Sequence, residues 1–164
     1  MRIEPIEAHR DAVATLAGWH HAQWGHLYSH WTQEVALAEL QEHAARATGL
    51  PTTLVAVEDE ALLGSVSLVL EDAPELAEHG SPWLASLYVI PQARGRGIGA
   101  RLVHAAVARA AVEGIAELFL FTPEHRDFYQ RLGWRPLART ALKGTPVDLM
   151  QIAPCVANGQ CAPA

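Results

Sequence analysis

The residues with the most chemical content are Arg94-Gly95-Arg96-Gly97-Ile98-Gly99. They follow the apolar run Leu87-Tyr88-Val89-Ile90-Pro91 and lead directly into a segment with apolar residues at Leu102, Val103, Ala106, Val107 and Ala110. Glycine lets backbone N–H groups approach a ligand with no Cβ in the way. A helix start adds unpaired N–H donors and the positive end of the helix dipole. Arg94 and Arg96 add formal charge, so strand, glycine turn and helix together read as a pyrophosphate site. A Walker A loop is excluded, because the sequence holds no G-x-x-x-x-G-K-[ST]. A dinucleotide fingerprint matches formally: Gly95-x-Gly97-x-x-Ala100 fits G-x-G-x-x-G/A, and Glu117 lies near the acidic spacing. Its context does not match. The glycines begin four residues after Pro91, Glu117 precedes the next strand instead of following it, and about 65 residues remain after Gly99. That is too little for a second βαβ half and a substrate domain. The plain alternative is a helix start that uses glycine only to turn the chain.

A second unusual stretch runs from Trp19 to Trp31 and holds four of the nine histidines and three of the five tryptophans. His26 and His30 have the i, i+4 spacing of a metal pair if the stretch is helical. Gly25 and the polar residues after it argue against a helix, no H-E-x-x-H occurs, and no acidic third ligand is adjacent. The expectation is therefore no metal. The simplest reading is an apolar helix face with exposed histidines.

These residues need elements to hold them, and the patterning supplies a set. Arg2 to Ile6 reads as a short strand, and from Ala8 the apolar spacing becomes helical through Ala12, Leu16, Trp19 and Trp24. Thr32 reads as the N-cap of a second helix that runs to about Ala47, stopped by Gly49-Leu50-Pro51. Thr53–Val57 and Leu62–Leu70 read as strands joined by a hairpin turn at Glu58-Asp59-Glu60-Ala61. Residues 72–82 read as a loop, and Trp83–Ile90 as a strand buried on both faces. Ile98–Val112 is an amphipathic helix with Gly114 as its C′ residue. Leu118–Phe121 is a buried strand, His125–Leu132 a short helix closed by Gly133, and Trp134–Ala138 and Leu142–Ile152 two last strands. The order predicts one α/β domain of α+β type over residues 1–154: a mixed, mostly antiparallel sheet of about six to seven strands flanked by about four helices. Residues 155–164 read as a flexible tail.

Composition narrows the function classes. The chain has 164 residues, enough for one self-sufficient core. A net charge of -6 argues against a general nucleic-acid binder and suits a cationic partner. No apolar run is long enough to span a membrane, and the N-terminal residues lack an apolar signal core. The only cysteines are Cys155 and Cys161, so the chain is no disulfide scaffold and a cytoplasmic location is expected. A Cys155–Cys161 bridge would close only a short loop.

Arg94-Gly95-Arg96-Gly97-Ile98-Gly99 resembles the Q/R-x-x-G-x-G/A signature of GCN5-related N-acetyltransferases. Leu87-Tyr88-Val89-x-Pro91 resembles that family's fourth strand, and Phe128-Tyr129-Gln130-Arg131-Leu132-Gly133-Trp134 its F-Y-x-x-L-G-F/Y element, with Trp134 in the last aromatic slot. The resemblance is firm from about Trp83 to Arg135. It implies a GNAT domain that moves an acetyl group from acetyl-CoA directly to a primary amine of a small molecule or a protein, as a monomer or homodimer, without metal or covalent intermediate. The alternative is a non-catalytic acyl-CoA-binding or regulatory module on the same fold.

The resemblance also implies residue roles. Leu87, Tyr88 and Val89 would pair with the pantetheine arm, and the turn from Arg94 through Gly95, Arg96, Gly97, Ile98 and Gly99 would hold the pyrophosphate. Tyr129 would protonate the departing thiolate, a suitable task for a phenol, while Phe128 packs in the core. Many relatives carry an Asn a few residues before F-Y. This sequence has none there, and the Thr122 hydroxyl is the candidate replacement. Glu71 and Asp72 are candidate bases for the amine, with Ser86 and Tyr88 able to align a water. The Trp19–Trp31 aromatics would wall the acceptor or stack on a cation.

Overall fold

The computed structural model describes residues 1–155. Residues 156–164 of the expected tail, and Cys161, lie outside that range. The strands are β1 (Arg2–Pro5), β2 (Thr52–Glu58), β3 (Ala61–Val69), β4 (Trp83–Val89), β5 (Leu118–Thr122), β6 (Arg135–Leu142) and β7 (Thr145–Ile152). The helices are α1 (Val13–Trp24), α2 (Gln33–Ala44), α3 (Ile98–Val112) and α4 (Arg126–Arg131), with short 3-10 turns at Ile6–Ala8, Arg10–Ala12, Gly25–Leu27, Pro74–His79 and Pro91–Ala93. The seven strands form one sheet in the order β1-β2-β3-β4-β5-β7-β6. The β4–β5 pair is parallel, whereas β1–β2, β5–β7 and β6–β7 are antiparallel. The chain is a single α/β domain of the expected class.

Contacts group the chain into two compact units, Met1–Ser67 with Ser86–Leu102, and Leu68–Ala85 with the chain from Val103 onward. The first has a core of Ile6, Val13, Leu16, Leu40, Val55 and Val57, which joins α1 and α2 to β2. Thr32 caps α2 as expected, its hydroxyl oxygen accepting from Val35 N at 3.4 Å. The β2–β3 hairpin turns at Asp59 and Glu60, with φ of 48° and 63°, a two-residue turn that matches the twist of its strands. The second unit has a core of Trp83, Phe119, Leu142, Val147 and Leu149. Gly133 closes α4 with φ 91°.

Three expectations need correction. The last two strands meet at Lys143-Gly144, not before Leu142: β6 runs through to Leu142, and both turn residues have positive φ, 49° and 78°. The Lys-Gly pair supports a tight hairpin that a scan for Asn-Gly or Asp-Gly misses. Residues 72–82 are not a plain loop, since Pro74–His79 forms a 3-10 turn with Leu76 buried. Finally, β4 is buried only over Trp83, Leu84 and Ala85, and from Ser86 to Val89 it is partly exposed. Ser86 has φ 53°, which no regular strand residue adopts, and it interrupts the pleat where burial falls.

Candidate active site

The glycine turn is built as its composition demands. Gly95 and Gly97 have φ of 75° and 74°, a region that disfavours any side chain, and a Cβ at either would meet nothing within 4 Å. The backbone of the turn is thus bent in a way that glycine adopts readily and is open at both positions. The helix that follows buries Ile98, Leu102, Val103 and Ala106, so its N-terminus is held in place.

The two arginines of the turn are both engaged by protein groups. Arg94 Nε donates to the Val89 carbonyl at 2.9 Å, and its guanidinium lies 5.9 Å from the centroid of the Tyr88 ring. Arg96 Nη2 donates to Glu58 Oε2 at 2.7 Å. That hydrogen bond holds the Glu58 carboxyl below its ordinary pKa. The other Glu58 oxygen lies 3.6 Å from the amino nitrogen of Met1. Sequence reading missed Glu58, because it sits 38 residues before Arg96 and only the hairpin brings it there.

The partly exposed half of β4 carries Leu87, Tyr88 and Val89. It lies close to β3: Ile90 N donates to Leu63 O at 3.0 Å, and a Cβ on Gly64 would clash with the Tyr88 carbonyl oxygen. Gly64 therefore permits that approach. With β5, β4 pairs at Trp83↔Phe119. The Tyr88 ring meets α1, with Trp19 at 5.6 Å and Trp24 at 6.4 Å between centroids. All three rings are partly exposed. His20 packs edge-on against Trp24 at 5.4 Å, and its Nε2 is 2.9 Å from Ser65 Oγ. The rich stretch thus divides. Trp19 and Trp24 join the strand next to the turn, whereas Trp31 packs on His21 and donates from Nε1 to Glu39. His26 falls in a 3-10 turn and His30 beyond it, so they do not share a helix face. No group of three or more potential ligands that could hold a metal occurs among the described residues.

In the other unit, α4 and the residue before β6 place Tyr129 between Phe128 and Trp134, at 5.0 and 6.1 Å. Tyr129 is 8% exposed. Burial, with a contribution from the Asp72 charge, pushes its pKa up to about 12. Asp72 is half-buried and acts on Tyr129; Glu71 is exposed. Thr122 is buried, and its hydroxyl oxygen accepts from His125 N at 3.0 Å, so it shapes the start of α4.

The profile of the acetyltransferase (GNAT) family matches residues 14–134, a span that includes the glycine turn and the Phe128–Trp134 element. The chain belongs to the GNAT acetyltransferase family. This GNAT protein is accordingly an acyltransferase. Its fold is similar to an aminoglycoside 6'-N-acetyltransferase complexed with coenzyme A, with a TM-score of 0.71 at 17% identity over 93% of this chain and 96% of that one. It is also similar to the aminoglycoside 6'-N-acetyltransferase from Enterococcus faecium, with a TM-score of 0.68 at 16% identity over 93% and 96%. A mutant spermidine N-acetyltransferase from Vibrio cholerae gives 0.67 at 15% identity over 93% and 94%. Comparison with curated proteins gives no match.

Proposed function

We propose that this GNAT domain, residues 1–154, is an acetyl-CoA-dependent N-acetyltransferase that acts on a primary amine. The observation that carries the reading is the turn with Gly95 and Gly97 at positive φ and open to a ligand, set between β4 and α3 inside the family match. The amides of residues 94–99 would hold the pyrophosphate, and the backbone of Leu87–Val89 the pantetheine arm. Val89 O already accepts from Arg94. Similar folds belong to enzymes named for aminoglycosides and spermidine, which are amine-bearing acceptors.

In the reaction the amine nitrogen forms a bond to the thioester carbonyl carbon, the C–S bond breaks, and sulfur leaves with the electron pair. Nitrogen loses one proton and sulfur gains one. We assign the nitrogen proton to Asp72 rather than Glu71, because Asp72 is the half-buried carboxylate. We assign the sulfur to Tyr129, a phenol that is protonated at neutral pH and stays so to higher pH than usual because its pKa is pushed up to about 12. Transfer from a phenol at about 12 to a thiolate near 8.5 is uphill by about 5 kcal/mol. The main contribution of Tyr129 is thus a hydrogen bond to developing negative charge, while the proton that sulfur keeps is supplied by water, to which Asp72 returns the proton it took from nitrogen. Trp19, Trp24 and Tyr88 form an aromatic surface suited to a cationic acceptor.

The test is thiol release from acetyl-CoA with a panel of diamines, polyamines, aminoglycosides and peptide N-termini, in parallel with Gly97→Glu. Amine-dependent release by the wild type and loss of coenzyme A binding by a folded Gly97→Glu are expected, since a charged side chain would fill the open cradle. Tight coenzyme A binding with no release on any amine would mark a binding module instead.

A further inference from the structure

We propose that Glu58 is an internal competitor for the cofactor phosphate: its carboxylate occupies on Arg96 the place that a phosphate oxygen would take, and it thereby lowers the affinity of the turn for coenzyme A. The proposal rests on the reading of the glycine turn given above. Its independent basis is the ion pair itself.

Arg96 stands between the two open glycines of the turn, and its side chain is about half exposed, at 48%. Its Nη2–Oε2 distance of 2.7 Å is that of a charge-assisted hydrogen bond. A guanidinium binds carboxylate and phosphate by the same fork of N–H donors, so the two anions exclude each other at that fork. The Arg94 side chain, at the other end of the glycine pair, is turned onto the Val89 carbonyl and the Tyr88 ring. Without a ligand, then, neither arginine presents an uncommitted charge to the turn. Glu58 is also a fixed negative charge beside the place where a polyanion would bind. It ends β2 immediately before the tight turn at Asp59-Glu60, so the hairpin and not a mobile loop sets its position. A phosphate that recruits Arg96 must displace this carboxylate. An exposed pair of this kind is weak, so displacement is feasible and the effect on affinity is moderate.

The experiment is a calorimetric titration of coenzyme A into wild type, Glu58→Gln, Arg96→Ala and the double variant, at one low ionic strength where screening is small. Glu58→Gln keeps the shape and removes the charge. It is expected to bind about two- to fivefold more tightly than wild type, the range set by an exposed ion pair. Glu58→Ala should show the same direction. Arg96→Ala should bind more weakly, and in that background Glu58→Gln should have less than half its effect on the logarithm of affinity, because the two residues act through one contact. Unchanged or weaker binding by Glu58→Gln in a protein with wild-type melting temperature overturns the proposal. So does a full effect that persists without Arg96, which would make Glu58 a through-space charge and not a competitor. Failure of every form to bind coenzyme A would instead overturn the cofactor reading of the turn, a result distinct from equal binding by all forms.

Discussion

At the scale of single residues, Tyr129 is the group we assign to the departing sulfur. Its ring is packed between Phe128 and Trp134, so its position does not depend on the hydroxyl. On that assignment the hydroxyl would act where charge grows on sulfur, in the transition state more than in the ground-state thioester. Tyr129→Phe is therefore expected to fold normally and keep wild-type coenzyme A affinity. Its turnover should fall at least about tenfold, a floor below the usual loss for a general acid because water can substitute. Steady-state kinetics on an accepted amine, set beside a direct coenzyme A titration, check this. Equal turnover would leave Tyr129 as a packing residue. The raised pKa has its own signature: ionisation of Tyr129 should not limit activity near pH 10, the ordinary phenol value, because the group titrates at about 12.

Among elements, α1 and β4 are joined by rings. Trp19 and Trp24 stand five residues apart near the end of α1 and both meet Tyr88. Trp19 also packs on the core of its unit, so its loss would disturb folding. Trp24 is the cleaner probe. Trp24→Leu keeps apolar volume and removes the π face, which for an exposed cation is worth about 0.5–1 kcal/mol and more when desolvated. The expected result is an amine KM raised about three- to tenfold with coenzyme A affinity unchanged. A polycationic acceptor should be affected more than an uncharged aromatic amine. An unchanged KM for both would return Trp24 to simple packing.

At the scale of the whole molecule, stability should depend on two buried histidines. His20 is 3% exposed and pairs with Ser65, and His43 is 7% exposed. His43 Nδ1 is 2.7 Å from Thr53 Oγ1, which is 2.8 Å from Ser67 Oγ. Burial lowers both imidazoles to about 4, and the charge of His43 adds to the shift of His20. The unfolded chain takes up these protons near pH 6.5, while the folded chain takes them up only near pH 4. Between those values the unfolded state binds more protons, so stability is full above about pH 6.5 and is lost as pH falls toward 4. Each histidine should withdraw roughly 2 kcal/mol between pH 7 and pH 5. Urea denaturation at the two pH values checks it. Replacing His43 by Gln should weaken the protein at pH 7 but flatten its pH dependence, and a midpoint equal at pH 7 and pH 5 in the wild type would contradict the argument.

The sequence by itself determined the parts whose physics is local. The strand, glycine turn and helix at 87–112 need only backbone freedom at Gly95 and Gly97 and an apolar stripe, and both are written in consecutive residues. Thr32 as a cap and Gly114 and Gly133 as helix stops are of the same kind. Tyr129 is singled out differently, by the resemblance of its F-Y element to the family, and its role is the assignment proposed above. The tertiary structure decided what depends on partners distant in the chain. Glu58 reaches Arg96 across 38 residues, and His43 reaches Thr53 and Ser67 through strand pairing. Ser86 at positive φ has no signal in its residue type, since glycine is the residue that announces such a conformation. The Trp19–Trp31 stretch offers metal, packing and binding readings alike while it is only a string of residues. It acquires one arrangement when α1 ends at Trp24 and lays its rings on Tyr88, because a ring's neighbours are set by how elements pack and not by its place in the chain.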